Sequence, residues 1–248
     1  MALLRNLNNL IKYDVSDLTV KRVIKQLTDP EAVKKSKQLP FRYYTAYKNV
    51  QGNRLFSDAI SEAMDIAVSN TPELKGKTLI GIDVSGSMEG DAIEKASIFG
   101  ATLLKANTGA DVILYDTEIK EFQGSGRVPV VDLADRIIHD ATGGGTNTSL
   151  VFQYATQKHY DRIVILSDNE SWVENNWGGD TQESYREYRK VTGDDPFVYA
   201  IDIQGYGTKD IVGGKVKHLA GWSARLLDFI SESERGTELV KYILSIEL

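Results

Sequence analysis

The periodicity of the chain changes once, after Lys77, and that change limits what the chain can fold into. Before it, apolar residues recur at helical spacing: Leu3, Leu4, Leu7, Leu10 and Ile11 over 3–12, then Leu18, Val23, Ile24 and Leu27 over 18–27. Asp29-Pro30-Glu31 starts a third helix, with Asp as N-cap and Pro at the first helical position. Leu39-Pro40 ends it and opens a fourth helix carrying Phe41 to Tyr47. A fifth runs over 54–69, closed by Asn70-Thr71-Pro72. Beyond Lys77, strand-like runs (78–84, 110–116, 118–123, 161–167, 197–203) alternate with helical ones (90–106, 131–139, 149–158, 181–191, 235–246). That alternation predicts an α/β fold, an open and mostly parallel sheet with helices on both faces. Two regions are expected: an all-helical segment, 1–76, and an α/β domain, 77–248.

Within the second region, the apolar run Thr78-Leu79-Ile80-Gly81-Ile82 reads as a buried strand and leads directly into Asp83-Val84-Ser85-Gly86-Ser87-Met88. One carboxylate and two hydroxyls fall at alternating positions on that turn, and Gly86 lets the backbone curl so that the oxygens converge. Hard oxygens suit a small hard cation: Mg²⁺ fits best, with Mn²⁺ and Ca²⁺ as alternatives. A Ser/Gly-rich turn with a capping Asp explains the six residues equally simply. In an open parallel sheet the site lies beyond the carboxyl ends of the strands, where the strand order reverses. Asp83 sits at such an end, and so does Asp168, after Ile163-Val164-Ile165-Leu166-Ser167. Between them Thr142-Gly143-Gly144-Gly145-Thr146-Asn147-Thr148 offers further hydroxyls on a pliable loop.

Charge separates the two regions. The net charge is −6, yet residues 1–77 hold 13 Lys/Arg against 8 Asp/Glu, which leaves the remainder strongly acidic. Residues 21–48 concentrate the basic side chains Lys21, Arg22, Lys25, Lys34, Lys35, Lys37, Arg42 and Lys48 against Asp29 and Glu31, interleaved with Phe41, Tyr43, Tyr44 and Tyr47. Cations with aromatics are what a phosphate backbone and unstacked bases require. A solvated helix face with aromatics turned into the core gives the same pattern. The chain contains no cysteine, so disulfides, thiol catalysis and zinc–cysteine sites are excluded. No run approaches the roughly 18 apolar residues of a membrane span, and the first residues lack the form of a signal peptide. A cytoplasmic location away from membranes is expected.

Asp-x-Ser-x-Ser after the first strand, Gly-Gly-Thr-Asn-Thr on a middle loop and an Asp closing the fourth strand resemble the metal-ion-dependent adhesion site of von Willebrand factor A domains. The resemblance implies a Rossmann-like A-domain fold in which Asp83, Ser85, Ser87, Thr146 and Asp168 surround a divalent metal, some through water. Leu-Leu-Arg-Asn-Leu near the start, Lys34 to Tyr47, Ser167-Asp168-Asn169-Glu170, Arg186-Glu187-Tyr188-Arg189-Lys190 and Gly221-Trp222 are similar to the carboxyl-terminal part of Ro autoantigen-type (TROVE) proteins. That family joins a ring of HEAT-like helical repeats to an A domain and binds small noncoding Y RNAs and misfolded RNAs. Residues 1–75 correspond to about two helix pairs of the ring, so the chain is expected to be a fragment, a natural short form, or one part of a larger assembly.

The function expected from these features is that of a noncoding-RNA-binding ribonucleoprotein component with a divalent-metal site, not an enzyme. A protein partner supplying an acidic side chain to the metal is a further expectation, and DNA is not expected as a ligand. The alternative is a metal-dependent protein-adhesion module with no RNA role. Hydrolysis would need a base at the ion, and Glu89 and Glu170 read as surface carboxylates. Trp172 and Trp177, just after the fourth-strand Asp, form either a partner-recognition loop or packing on the domain top. The residues from Gly205 to Gly214 are expected to form a second mobile loop at the same end. His139, His159 and His218 have no second ligand at metal spacing.

Overall fold

A computed structural model describes residues 2–13, 15–50, 52–168, 180–207, 211–223 and 225–244, with backbone only for residues 2 and 237–244. The helical segment comprises α1 (Ala2–Lys12), α2 (Asp17–Leu27), α3 (Pro30–Ser36), α4 (Pro40–Val50) and α5 (Arg54–Ala67), closed by a 3-10 turn at Val68–Asn70. The expected cap is in place. Asp29 accepts from the backbone N–H of Glu31 at 2.9 Å and of Ala32 at 3.3 Å; α5 has a cap not expected from the sequence, Asn53, which accepts from Phe56 N at 3.2 Å. Asn70 returns the chain onto α3 by donating to the carbonyls of Val33 and Gln38.

The α/β part follows as β1 (Thr78–Asp83), α6 (Asp91–Ala106), β2 (Asp111–Tyr115), β3 (Ile119–Glu121), α7 (Val130–His139), α8 (Ser149–Ala155), β4 (Arg162–Ser167), α9 (Thr181–Thr192), β5 (Phe197–Asp202), β6 (Val216–Ala220) and α10 (Arg225–Leu244). The six strands form one sheet in the order β3-β2-β1-β4-β5-β6, parallel except for the β2–β3 pair. β1 and β4 lie at the centre and are buried along their whole length. Their alternate residues feed two cores, as the period-two geometry of strands requires. Ile80, Ile82, Val164 and Leu166 pack toward α6, α7 and α10, while Leu79, Ile163 and Ile165 pack with Phe152, Tyr185 and Tyr188 of α8 and α9.

The first of these cores continues without a break into the helical segment. Phe41 of α4 stacks on Phe99 of α6 at 5.2 Å between centroids, and Trp222 lies 4.8 Å from Phe41 and 6.4 Å from Phe99. At the amino end of the strands the guanidinium of Arg162, 1% exposed, donates to Thr78 Oγ1 at 2.8 Å, to the Lys75 carbonyl at 3.0 Å and to both carboxylate oxygens of Glu234 on α10. The Tyr199 hydroxyl donates to the same carboxylate at 3.1 Å. This network fastens the last helix under the sheet.

Two expectations are corrected here. The segment from Gly205 to Gly214 is not one mobile loop at the carboxyl end. Gly205 and Gly207 lie at that end, bound to Asp202, and residues 208–210 lie outside the described residues. The later part leads into β6 at the other end and is fixed: Ile211 is buried, its carbonyl lies 2.7 Å from His218 Nε2, and Val212 N donates to Gln182 Oε1 at 2.6 Å. The last helix begins at Arg225, ten residues before the expected 235, because Leu226, Leu227 and Ile230 already form a buried stripe. No helix among the described residues is long and apolar enough to cross a membrane.

Candidate functional site

The parallel order places β1 and β4 side by side with α6 and α8 leaving on opposite faces, so a crevice opens beyond their carboxyl ends. Asp83, fully buried, ends β1. Its Oδ1 accepts from Ser85 N at 2.9 Å, and its Oδ2 accepts from the hydroxyl of Ser167, the last residue of β4, at 2.7 Å. Asp168 follows, also fully buried. The Ser85 hydroxyl lies 3.2 Å from that of Ser87 and accepts from Thr146 Oγ1 at 2.9 Å. Hydrogen bonds thus link the Asp83 turn to the middle loop through Thr146 and Ser85 and to the end of β4 through Ser167, with Asp168 close enough for its charge to act on Asp83.

Backbone geometry holds the pieces together. Gly86 N donates to the Gly144 carbonyl at 2.9 Å, and Gly143 N donates to the Val84 carbonyl at 3.1 Å, which stitches the middle loop to the Asp83 turn. A Cβ on Gly86 would stand 3.0 Å from the Gly143 carbonyl oxygen. Asp116, just after β2, anchors the same loop: it accepts from the Thr142 hydroxyl and from Gly144 N, and a Cβ on Gly144 would approach its Oδ2 to 2.6 Å. Burial pushes the Asp116 carboxyl up, but hydrogen bonds from Thr142 and from the backbone N–H of Glu118 and Gly144 outweigh it and hold it below its ordinary value.

Asp83 behaves in the opposite sense. Burial pushes its carboxyl up, the hydrogen bonds from Ser85 and Ser167 only partly offset this, and the charge of Asp168 raises it again, to about 6. Two buried carboxylates thus repel one another beside three neutral hydroxyls. A divalent cation would relieve that repulsion and accept all five side chains as hard ligands, so the residues present fit such an ion. The set contains too few carboxylates to stand out as an acidic cluster, and among the described residues no group of three or more His, Asp or Glu could hold a metal.

The remaining predicted residues divide. Lys21, Arg22, Lys25, Lys34, Lys35, Lys37, Arg42 and Lys48 are all exposed on or beside α2, α3 and α4. Lys48 is paired with Glu94 on α6. Phe41, Tyr43 and Tyr44 are buried and Tyr47 is half-buried, so the aromatics of this stretch serve the core and offer no stacking platform. Glu89 is exposed, as expected of a surface carboxylate. Glu170, Trp172 and Trp177 lie outside the described residues. Beside the oxygen cluster a cleft of about 510 Å³ opens between the start of α6 and the end of α7, lined by Ile93, Ile138 and Ala141 together with Glu89 and Glu94.

Sequence reasoning missed three polar residues that organise this end of the sheet. Ser167 and Asp116 have the roles given above. Asp202 ends β5, is 2% exposed, and accepts from the N–H groups of Gln204 at 3.0 Å, Gly205 at 2.6 Å and Gly207 at 2.7 Å. The available signal was position: each closes or follows a strand, as Asp83 does.

The sheet order defines an open, mostly parallel α/β domain with helices on both faces, preceded by a short helical segment. The family model described as TROVE domain matches residues 1–71. An RNA-binding protein RO60 from Deinococcus radiodurans is 31% identical over 200 residues, covering 69% of this chain and 37% of that protein. An RNA-binding protein RO60 from Caenorhabditis elegans is 21% identical over 257 residues, covering 95% of this chain and 40% of that protein. The crystal structure of the Deinococcus radiodurans RO (RSR) protein superimposes with a TM-score of 0.75 over 91% of this chain and 51% of that one, at 23% identity. The chain belongs to the Ro (TROVE-domain) family, and it spans well under half the length of the curated relatives it matches.

Proposed function

We propose that this chain binds small noncoding RNA through the basic surface of α2, α3 and α4. In the same reading its A-type domain holds one divalent cation, Mg²⁺ by preference, through Asp83, Ser85, Ser87, Thr146 and Asp168. The observation that carries the reading is the meeting of two buried carboxylates and three hydroxyls beside a helical segment whose eight selected cations all face solvent. The RNA-binding names of the two relatives support the ligand class. Six-coordinate Mg²⁺ keeps some water, and a ligand set rich in neutral hydroxyls leaves it positive, so an acidic side chain of a protein partner or a phosphate could complete its shell. The site is one for binding and no catalytic step is inferred: a hydrolase needs a base aimed at the attacking water.

The test has two arms on the full chain. In a gel shift with a small structured RNA, the complex should form at low salt and weaken steeply as salt is raised. No shift at low salt would remove the RNA assignment. In the second arm Mg²⁺ should raise thermal stability, by about 2.7 kcal/mol at a hundredfold excess over its dissociation constant. Asp83→Ala should lose that response while still folding. An equal response in the variant would remove the metal assignment.

A further inference from the structure

A second cleft, of about 270 Å³, runs between α1 and α4, away from the sheet. Its making follows from the two faces of α4. Phe41, Tyr44 and Lys48, spaced i, i+3, i+7, turn toward α6, where Phe41 meets Phe99 and Lys48 meets Glu94. Arg42 and Asn49 lie on the neighbouring face and line the cleft opposite Arg5 and Asn8 of α1. The floor is apolar, with Leu7 and Val50 buried beneath it, and the polar side chains that line it, Thr45 among them, are exposed. Among the described residues the cleft carries no carboxylate, and neither guanidinium is engaged in a hydrogen bond or an ion pair.

We infer that this cleft seats one nucleotide of a single-stranded RNA, its phosphate held between the guanidinium groups of Arg5 and Arg42. The inference rests on the RNA-binding reading above and assigns that ligand a specific seat, one that includes a residue, Arg5, outside the basic run of α2 to α4. Two planar guanidinium forks lining one groove can grip one phosphate with several charge-assisted hydrogen bonds. The apolar floor receives a base or ribose face. Asn8 and Asn49 bring amide groups to the base edge. Asn49 Nδ2 already donates to the Thr45 carbonyl at 2.9 Å, so its oxygen is the group presented to a base donor. The volume admits a nucleotide and not a stem, which is why the ligand is single-stranded.

The experiment is a fluorescence titration of the full chain with a short labelled oligouridylate at several salt concentrations. It is repeated with the double variant Arg5→Gln/Arg42→Gln and with Lys21→Gln/Arg22→Gln/Lys25→Gln on α2. The altered side chains are exposed, so the thermal transition should not move. The cleft variant is expected to bind about tenfold more weakly, with the salt slope reduced by about one. Modification of Arg5 and Arg42 by phenylglyoxal should be blocked by the oligonucleotide and far less by inorganic phosphate. If the α2 variant loses affinity while the cleft variant keeps it, the seat is wrong and RNA binding stands. Equal protection by inorganic phosphate would reduce the cleft to a general anion site and overturn the nucleotide assignment. An unmutated chain that ignores the oligonucleotide at low salt overturns seat and RNA reading together.

Discussion

At the amino end of the central strands Arg162 is buried and meets Glu234 through two N–H groups, with Thr78, Lys75 and Tyr199 completing the pair. At the carboxyl end Asp83 is buried just as deeply, but among the described residues the groups that act on it are the Ser85 and Ser167 hydroxyls, the Ser85 N–H and the charge of Asp168. Both ends take charge out of water, which costs free energy. One end offsets that cost within the fold, and its groups fasten a helix. At the other, burial and the charge of Asp168 raise the Asp83 carboxyl against the hydrogen bonds of two serines.

The largest test breaks the amino end. Arg162→Ala or Glu234→Ala, each stranding one charge, should cost about 3–5 kcal/mol in urea denaturation. Asp83→Asn in metal-free protein should cost far less, because it removes a repulsion. A comparable loss for the two would dissolve the contrast between the ends.

The next test uses pH. The Asp83 carboxyl lies at about 6 in the fold against an ordinary 3.8, so folded protein holds this proton more tightly than unfolded chain does. The resulting stability is fully present below about 3.8 and is lost as pH rises through 6. In metal-free protein the stability of the unmutated chain relative to Asp83→Asn should therefore improve on acidification from pH 7 toward 4, by up to about 3 kcal/mol. Saturating Mg²⁺ should reverse the trend, since the ion requires the carboxylate.

The smallest test sharpens the comparison within the carboxyl end itself. Asp202 is also buried there but accepts three backbone N–H groups. Asp202→Ala should cost about 1–3 kcal/mol by orphaning those donors, and should leave the thermal response to Mg²⁺ unchanged.

Much of this was legible in the chain before any coordinates. The change of period at Lys77 was enough for the architecture, and a strand followed by Asp83, Ser85 and Ser87 was enough for three of the five residues of the oxygen cluster. Ser167 and Asp116 were not legible, because their roles depend on strands coming into register across long stretches of sequence: Ser167 reaches Asp83 and Asp116 reaches Thr142 only once the sheet exists. β6 escaped notice as a short edge strand, Val216-Lys217-His218-Leu219-Ala220, whose polar and half-exposed residues carry little hydrophobic signal. The aromatics of α4 show the converse limit. Spacing puts Phe41 and Tyr44 on one helix face, but only packing reveals that the face meets α6 and not a ligand.

The wedge of Phe41, Phe99 and Trp222 also couples mechanics to spectroscopy. α6 begins directly after the Asp83 turn, so any shift of that helix would be passed through Phe99 to α4, and the Trp222 indole sits where it would register the movement as a change in emission.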